Sequence, residues 1–176
     1  IASPDLRPKL VEHRFELPVP VDGHEQLRLV GSIDRVDADG EKAVIVDYKT
    51  GAPRFTGKEC RQGHGIQLAA YAIAVETFGF TPVASLYLTV SRFEAKVSGG
   101  ILCKPYNKKY FKVGPTSSGL VDSEDLLGTL DSIRETWKDK LQRLVAGHFT
   151  ANPLDPSVEC RTCSYSTICG FTASTT

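Results

Sequence analysis

"KAVIVDYKT", residues 42 to 50, runs three β-branched residues, Val44, Ile45 and Val46, straight into Asp47, Tyr48 and Lys49. The run is bounded by "DGE" at 39–41 and by "TGAP" from residue 50, so it reads as a buried strand that ends in polar residues. Side chains alternate along a strand, which puts Asp47 and Lys49 on one face at its end. An acid and a base projecting from the end of an apolar platform raise the question of what they are there to hold.

The neighbouring segments supply context. "QLRLVGSIDRVDA" (26 to 38) is a second extended run, joined to the first through the turn formers Asp39 and Gly40, and pairing the two brings Asp34 toward Asp47 and Lys49. Upstream, "LVEHRFELPVPV" (10 to 21) sets Val11, His13, Phe15 and Leu17 against Glu12, Arg14 and Glu16, a third strand that turns at Asp22 and Gly23. Downstream, residues 65 to 78 place Ile66, Ala69, Ala70, Ile73 and Phe78 near helical spacing, with Gly79 past the end. Residues 82 to 97 resume strand character with Ala84, Leu86, Leu88 and Val90 on one face, so the helix crosses over between strands. Residues 104 to 121 are basic and aromatic and match no element. From 122 to about 148, Leu126, Leu130, Ile133, Trp137, Leu141 and Leu144 keep a 3.6-residue beat after an acidic first turn, a long amphipathic helix closed by Gly147. The order predicts an α/β fold, a central mixed β-sheet flanked by helices, in a single domain over 1–176 with a cysteine-rich tail at 158–170.

Composition narrows the function classes. The 176 residues, 41% hydrophobic and 24% charged, fit one globular domain with a core, neither disordered nor fibrous. Lys plus Arg (21) equals Asp plus Glu (21), so any nucleic-acid contact must come from a local patch. No apolar stretch approaches the roughly 18 residues of a membrane span, and the amino terminus has no signal-peptide core, so the expectation is a cytoplasmic protein with no membrane partner. The chain begins with Ile and contains no Met, which suggests a piece of something longer. Three of its five cysteines, Cys160, Cys163 and Cys169, crowd the end, a pattern suited to metal or cluster ligation rather than to disulfides.

Two carboxylates and a lysine at one strand end suit a hard divalent cation, Mg2+ or Mn2+, which takes oxygen ligands and keeps several waters. The lysine ammonium can hold an attacking water while the metal lowers that water's pKa and stabilises charge on a scissile phosphate. The plain rival is a surface hairpin with a cross-strand ion pair worth about 0.2–1 kcal/mol.

"G-S-I-D" ending at Asp34, "V-D-Y-K-T-G" around Asp47 and Lys49, and "Q-L-A-A-Y" from Gln67 to Tyr71, in that order, resemble the PD-(D/E)XK nuclease superfamily, in its RecB- and AddB-like branch. The resemblance covers the chain from about Glu12 onward and implies a restriction-endonuclease-like core. It implies that Asp34 and Asp47 bind the catalytic metal with the backbone carbonyl of Tyr48, that Lys49 assists water attack on a DNA phosphodiester, and that Gln67 and Tyr71 position the substrate. Glu12 lies in a "VE" motif also typical of the branch, with no role assigned. The spacing of Cys160, Cys163 and Cys169 matches three ligands of a 4Fe-4S cluster in such nucleases; zinc is the rival metal, and the fourth ligand, for which Cys60 and Cys103 are poor candidates, would lie upstream. The implied function is a Mg-dependent deoxyribonuclease, exonuclease in preference to endonuclease, acting on DNA beside helicase domains or a partner subunit in recombination and repair. The alternatives are a non-catalytic DNA-binding and scaffolding module of such a complex, or a CRISPR-adaptation nuclease. For Gln67 and Tyr71 the rival is an ordinary helix edge. For the lysines and aromatics of 104–112 a solvated loop competes with a single-stranded DNA surface.

Overall fold

A computed structural model describes residues 3–19, 21–52, 57–61, 64–92, 94–111, 120–151, 153 and 155–171. The chain separates into two compact units, Ile1–Leu141 and Gln142–Thr176.

The first unit is built on a six-stranded mixed sheet whose spatial order follows the chain. β1 (Arg7–Pro18), β2 (Arg28–Asp39) and β3 (Lys42–Lys49) form an antiparallel meander. After the short α1 (Gly57–Arg61), α2 (Gln67–Thr77) carries the chain across, so that β4 (Thr81–Val90) pairs parallel to β3. β5 (Ala95–Cys103) returns antiparallel, α3 (Lys104–Tyr110) follows, and β6 (Leu120–Ser123) closes the edge parallel to β5. α4 (Leu126–Val145) comes next in sequence.

β3 is the axis of this arrangement. Val44, Ile45 and Val46 are each at most 1% exposed, and they divide between two cores because the pleat sends alternate side chains to opposite faces. Ala43 and Ile45 join Phe15, Ile33, Val36, α2 and the α4 residues Leu126, Leu130 and Ile133 on one face. Val44 and Val46 join Val83, Leu86, Leu102 and Tyr110 on the other. α2 is buried on all sides from Leu68 to Val75, as a crossover helix with packing on more than one flank must be. Its start is tied to β4 by Ser85, whose buried hydroxyl donates to the Leu68 carbonyl at 2.8 Å.

Several sequence expectations change here. Residues 82–97 divide between two strands: β4 ends at Val90, and the turn before β5 is fastened by Ser91, whose amide donates to the Glu94 carbonyl and whose hydroxyl accepts from the Glu94 amide. The unassigned basic segment begins as α3, with Tyr110 buried to 1%; residues 112–119 lie outside the described residues. The predicted acidic first turn of α4 lies just before the helix, where Asp125 Oδ1 accepts from the Gly128 amide at 2.9 Å as an amino-terminal cap. Val11, expected to face inward with His13, is 65% exposed; Ile66, expected on the buried face of α2, is 45% exposed.

In the second unit, α5 (Pro156–Glu159) is capped by Asp155 and runs into a single turn at 160–162. None of its described residues is buried, and Phe149, Tyr165 and Ile168 are 77%, 68% and 79% exposed.

Candidate active site

The site lies where β3 ends and α2 begins. Asp47 is the last buried residue of β3, 1% exposed, and Lys49 follows on the same face with its side chain 31% exposed. Lys49 Nζ stands 2.6 Å from Asp47 Oδ2, an ion pair made to a buried carboxylate oxygen. Burial pushes the Asp47 carboxyl above its ordinary value; Lys49 pulls it back and the charge of Asp34 adds to the rise.

Asp34 comes from β2. The β2–β3 ladder runs from Asp39↔Lys42 to Arg35↔Val46, and Asp34 and Asp47 are the next residue on each strand. Past that pair, Asp34 Oδ2 accepts from the Tyr48 amide at 2.9 Å. The Tyr48 ring points to the opposite face, where its hydroxyl accepts from Arg35 at 3.1 Å; Arg35 in turn grips buried Asp37 through two bonds of 2.7 and 2.8 Å. Tyr48 therefore has its amide fixed from one face and its ring from the other.

The first turn of α2 completes the near side. Lys49 Nζ donates to Gln67 Oε1 at 3.0 Å, and Gln67 Nε2 donates to the Tyr71 hydroxyl at 2.9 Å. This relay fixes the orientation of the Gln67 amide, since only its oxygen can accept from an ammonium. Tyr71 is 6% exposed and packs edge-on against Phe15, with 5.7 Å between ring centroids. Gly31 makes room for that ring, because a Cβ at Gly31 would sit 2.7 Å from Phe15. Burial raises the Tyr71 pKa, Gln67 lowers it, and the charges of Asp47, Asp34 and Glu12 raise it further.

Two residues join the site that sequence reasoning left without a role. Tyr87, paired with Asp47 across the β3–β4 ladder, presents its ring to Lys49 Nζ at 5.2 Å from the centroid, a cation–π wall that is itself 4% exposed. The signal for it was absent, because Tyr87 reads as one more residue of an apolar strand until the parallel register is known. Glu12 is the one described non-glycine residue with positive φ, +47°, a conformation rarely adopted without compensation. Its neighbours pair as Val11↔Arg35 and His13↔Ile33, which sets Glu12 opposite Asp34.

All five residues expected from the Asp-Asp-Lys and Gln-Tyr motifs thus converge, together with the Tyr48 backbone. Among the described residues no group of three or more His, Cys, Asp or Glu side chains is disposed to hold a metal ion. The donor set at the strand end, two carboxylates and a backbone carbonyl, is all oxygen and fits a hard cation that keeps part of its water shell. The three tail cysteines are free, Cys163 and Cys169 exposed and Cys160 partly so. Cys60 is buried, with its thiol pushed up to about 11 by burial, and is unsuited to ligation.

A cavity of about 710 Å³ lies away from these charges, lined by Leu17, Leu29, Ile73 and Trp137 among others, with Trp137 Nε1 buried and lacking an acceptor. The lysine-rich α3 stands at the other end of β3, where Lys109 and Tyr110 both bind Asp39.

A family model described as the PD-(D/E)XK nuclease superfamily matches residues 2–170. The chain belongs to that superfamily, and its six-stranded mixed sheet with flanking helices has the restriction-endonuclease-like form. No curated protein matches the chain. No described helix is long and apolar enough to cross a membrane.

Proposed function

We propose that this chain is a metal-dependent deoxyribonuclease domain that hydrolyses phosphodiester bonds at the end of β3. The observation that carries the reading is the buried Asp47 carboxylate, ion-paired at 2.6 Å with Lys49, at the junction of three strands and a helix in a nuclease-superfamily fold. A carboxylate and an ammonium brought together in a buried position mark a candidate functional site.

Asp34, Asp47 and the Tyr48 carbonyl would hold Mg2+ or Mn2+. When bound, such an ion supplies Lewis acidity toward a phosphate and lowers the pKa of a ligated water. Lys49, fixed by Gln67 and walled by Tyr87, keeps N–H donor capacity beyond its Gln67 bond and would orient an attacking water. Tyr71 receives the Gln67 amide proton on its oxygen, which leaves its own O–H free to donate to a phosphate oxygen. Tyr48 is locked between Asp34 and Arg35, so its carbonyl is oriented before any ligand arrives.

The finer reading is a RecB- or AddB-like nuclease module, cytoplasmic, working beside helicase domains or a partner subunit, with exonuclease action on DNA. The three tail cysteines, which form no metal-binding group among the described residues, are assigned a metal from their spacing alone. A segment with no buried residue and several exposed apolar side chains gains order when thiolates close around an ion, and Cys160, Cys163 and Cys169 provide three of the four ligands a 4Fe-4S cluster needs. Iron and sulfide content of purified protein tests the cluster; stoichiometric zinc with no visible absorbance would refute it.

The activity is tested by digestion of single- and double-stranded DNA in Mg2+, in Mn2+ and in chelator. Metal-dependent loss of substrate that Asp47→Ala and Lys49→Ala abolish is expected; equal activity in all three proteins would overturn the assignment.

A further inference from the structure

The β-sheet continues past Lys49 in a direction that the proposed chemistry does not use. Parallel pairing sets Thr89 beside Lys49, and antiparallel pairing sets Lys96 beside Thr89, so one row crosses three strands as Lys49, Thr89, Lys96. Paired residues share a face, so the row lies on the face that carries Asp47 and Tyr87.

The β4–β5 ladder slips beside this row. Tyr87 pairs with Gly99 but Leu88 pairs with Val97, which leaves Ser98 as an extra residue on β5. Gly100, at φ +143°, permits the distortion; a Cβ there would sit 2.4 Å from the Ser85 carbonyl oxygen. The bulge turns the Ser98 hydroxyl to Thr89, whose Oγ1 lies 2.6 Å from Ser98 Oγ. Bulges beside active sites commonly re-aim a side chain in this way. The outer bonds of the hydroxyl pair, Thr89 to the Gly51 carbonyl and Ser98 to the Tyr87 carbonyl, are both long at 3.4 Å, so either proton can be redirected to a stronger acceptor. Lys96 is exposed and has neither an ion-pair nor a hydrogen-bond partner among the described residues. Two strand spacings, about 10 Å, separate it from Lys49, which places it beyond the scissile position but within reach of the same strand of nucleic acid.

We propose that Thr89, Ser98 and Lys96 form a phosphate subsite that holds the DNA strand next to the phosphodiester cleaved at Asp47 and Lys49. The proposal rests on the nuclease reading. Hydroxyls and an unpaired lysine contact backbone phosphates without reading bases, so the subsite adds affinity and register rather than sequence preference. It also gives the substrate a direction across the sheet, from β3 toward β5.

The test is fluorescence anisotropy of a short labelled single-stranded oligodeoxynucleotide in chelator over a series of salt concentrations, alongside cleavage kinetics in Mg2+. Lys96→Ala is expected to weaken binding about three- to fivefold at low salt and to reduce the log–log salt slope by about 0.7, the value for one phosphate contact on a single strand. Lys96→Glu should weaken it further, and Thr89→Val with Ser98→Ala should act in the same direction, the losses falling on KM rather than kcat. Wild-type affinity and salt slope in both Lys96 variants would overturn the subsite, while loss of cleavage in Asp47→Ala in the same series would leave the nuclease reading standing. A wild-type protein that neither binds nor cleaves the oligonucleotide would remove both.

Discussion

The two ends of β3 carry nearly the same side chains and put them to different use. At the Asp39 end, Asp39 Oδ2 accepts from Lys109 Nζ at 2.5 Å and from the Tyr110 hydroxyl at 2.8 Å, and these partners hold its carboxyl below the ordinary value. At the Asp47 end a carboxylate and a lysine again meet tyrosine, but Tyr71 bonds Gln67, Tyr87 offers its ring to Lys49, and Asp47 is ion-paired with Lys49 at 2.6 Å in a buried position. Burial there raises the carboxyl instead of lowering it. Composition does not distinguish the two clusters; burial does, with the Asp39 side chain 33% exposed and that of Asp47 2%. The lysine and tyrosine of α3 that resembled a nucleic-acid surface are engaged in holding the far end of the sheet together.

The contrast predicts how each end responds to substitution. The largest effect is expected from Asp47→Ala and Lys49→Ala, which should lower metal-dependent DNA cleavage by about 10²–10⁴-fold, while Asp39→Asn leaves kcat within a factor of two in the same assay. Gln67→Ala releases Lys49 and Tyr71 together and should cost about tenfold in kcat, with little change in DNA affinity measured in chelator. At Tyr87 the ring matters: Tyr87→Phe should retain most activity, whereas Tyr87→Leu, which removes the face toward Lys49, should lower kcat several-fold and alter its pH profile.

The smallest effects concern stability, and they have opposite signs at the two ends. Asp39 has a lowered folded pKa, so its contribution is present above about pH 4 and lost as pH falls through the folded value; Asp39→Asn should flatten the acid side of a melting-temperature profile. Asp47 has a raised folded pKa, so the metal-free protein binds the extra proton when folded and loses stability as pH rises from about 4 through the folded value. Asp47→Asn should therefore melt above wild type in chelator at neutral pH, and should lack the stabilisation expected of the wild type on addition of Mn2+ or Mg2+.

The sequence made the β3 platform plain, because Val44 to Val46 followed by Asp47 and Lys49 admits few other readings, and the Gln67 to Tyr71 spacing made the helix face plain as well. What it hid depended on pairing. Tyr87 comes beside Lys49, and Lys96 into the same row two strands away, only through the parallel β3–β4 register and the β4–β5 pairing with its slip at Ser98, neither of which leaves a periodic trace. The β4–β5 turn was hidden for a related reason. "SRFE", residues 91 to 94, contains no Gly, Pro, Asn or Asp, and the turn is made by Ser91 bonding to Glu94. Val11 escaped its apolar face because the backbone reverses its phase at Glu12, and no residue-type pattern announces a positive φ at a glutamate.

The most direct test of the central claim is cleavage of an end-labelled DNA in Mg2+ and Mn2+ by wild type, Asp47→Asn and Asp39→Asn at matched concentration, with melting in chelator and in metal recorded on the same preparations. A nuclease site at the Asp47 end predicts metal-dependent cleavage in wild type and Asp39→Asn, none in Asp47→Asn, and a rise in melting temperature on metal addition that only Asp47→Asn lacks. Undiminished cleavage and an undiminished metal-induced rise in Asp47→Asn would contradict it.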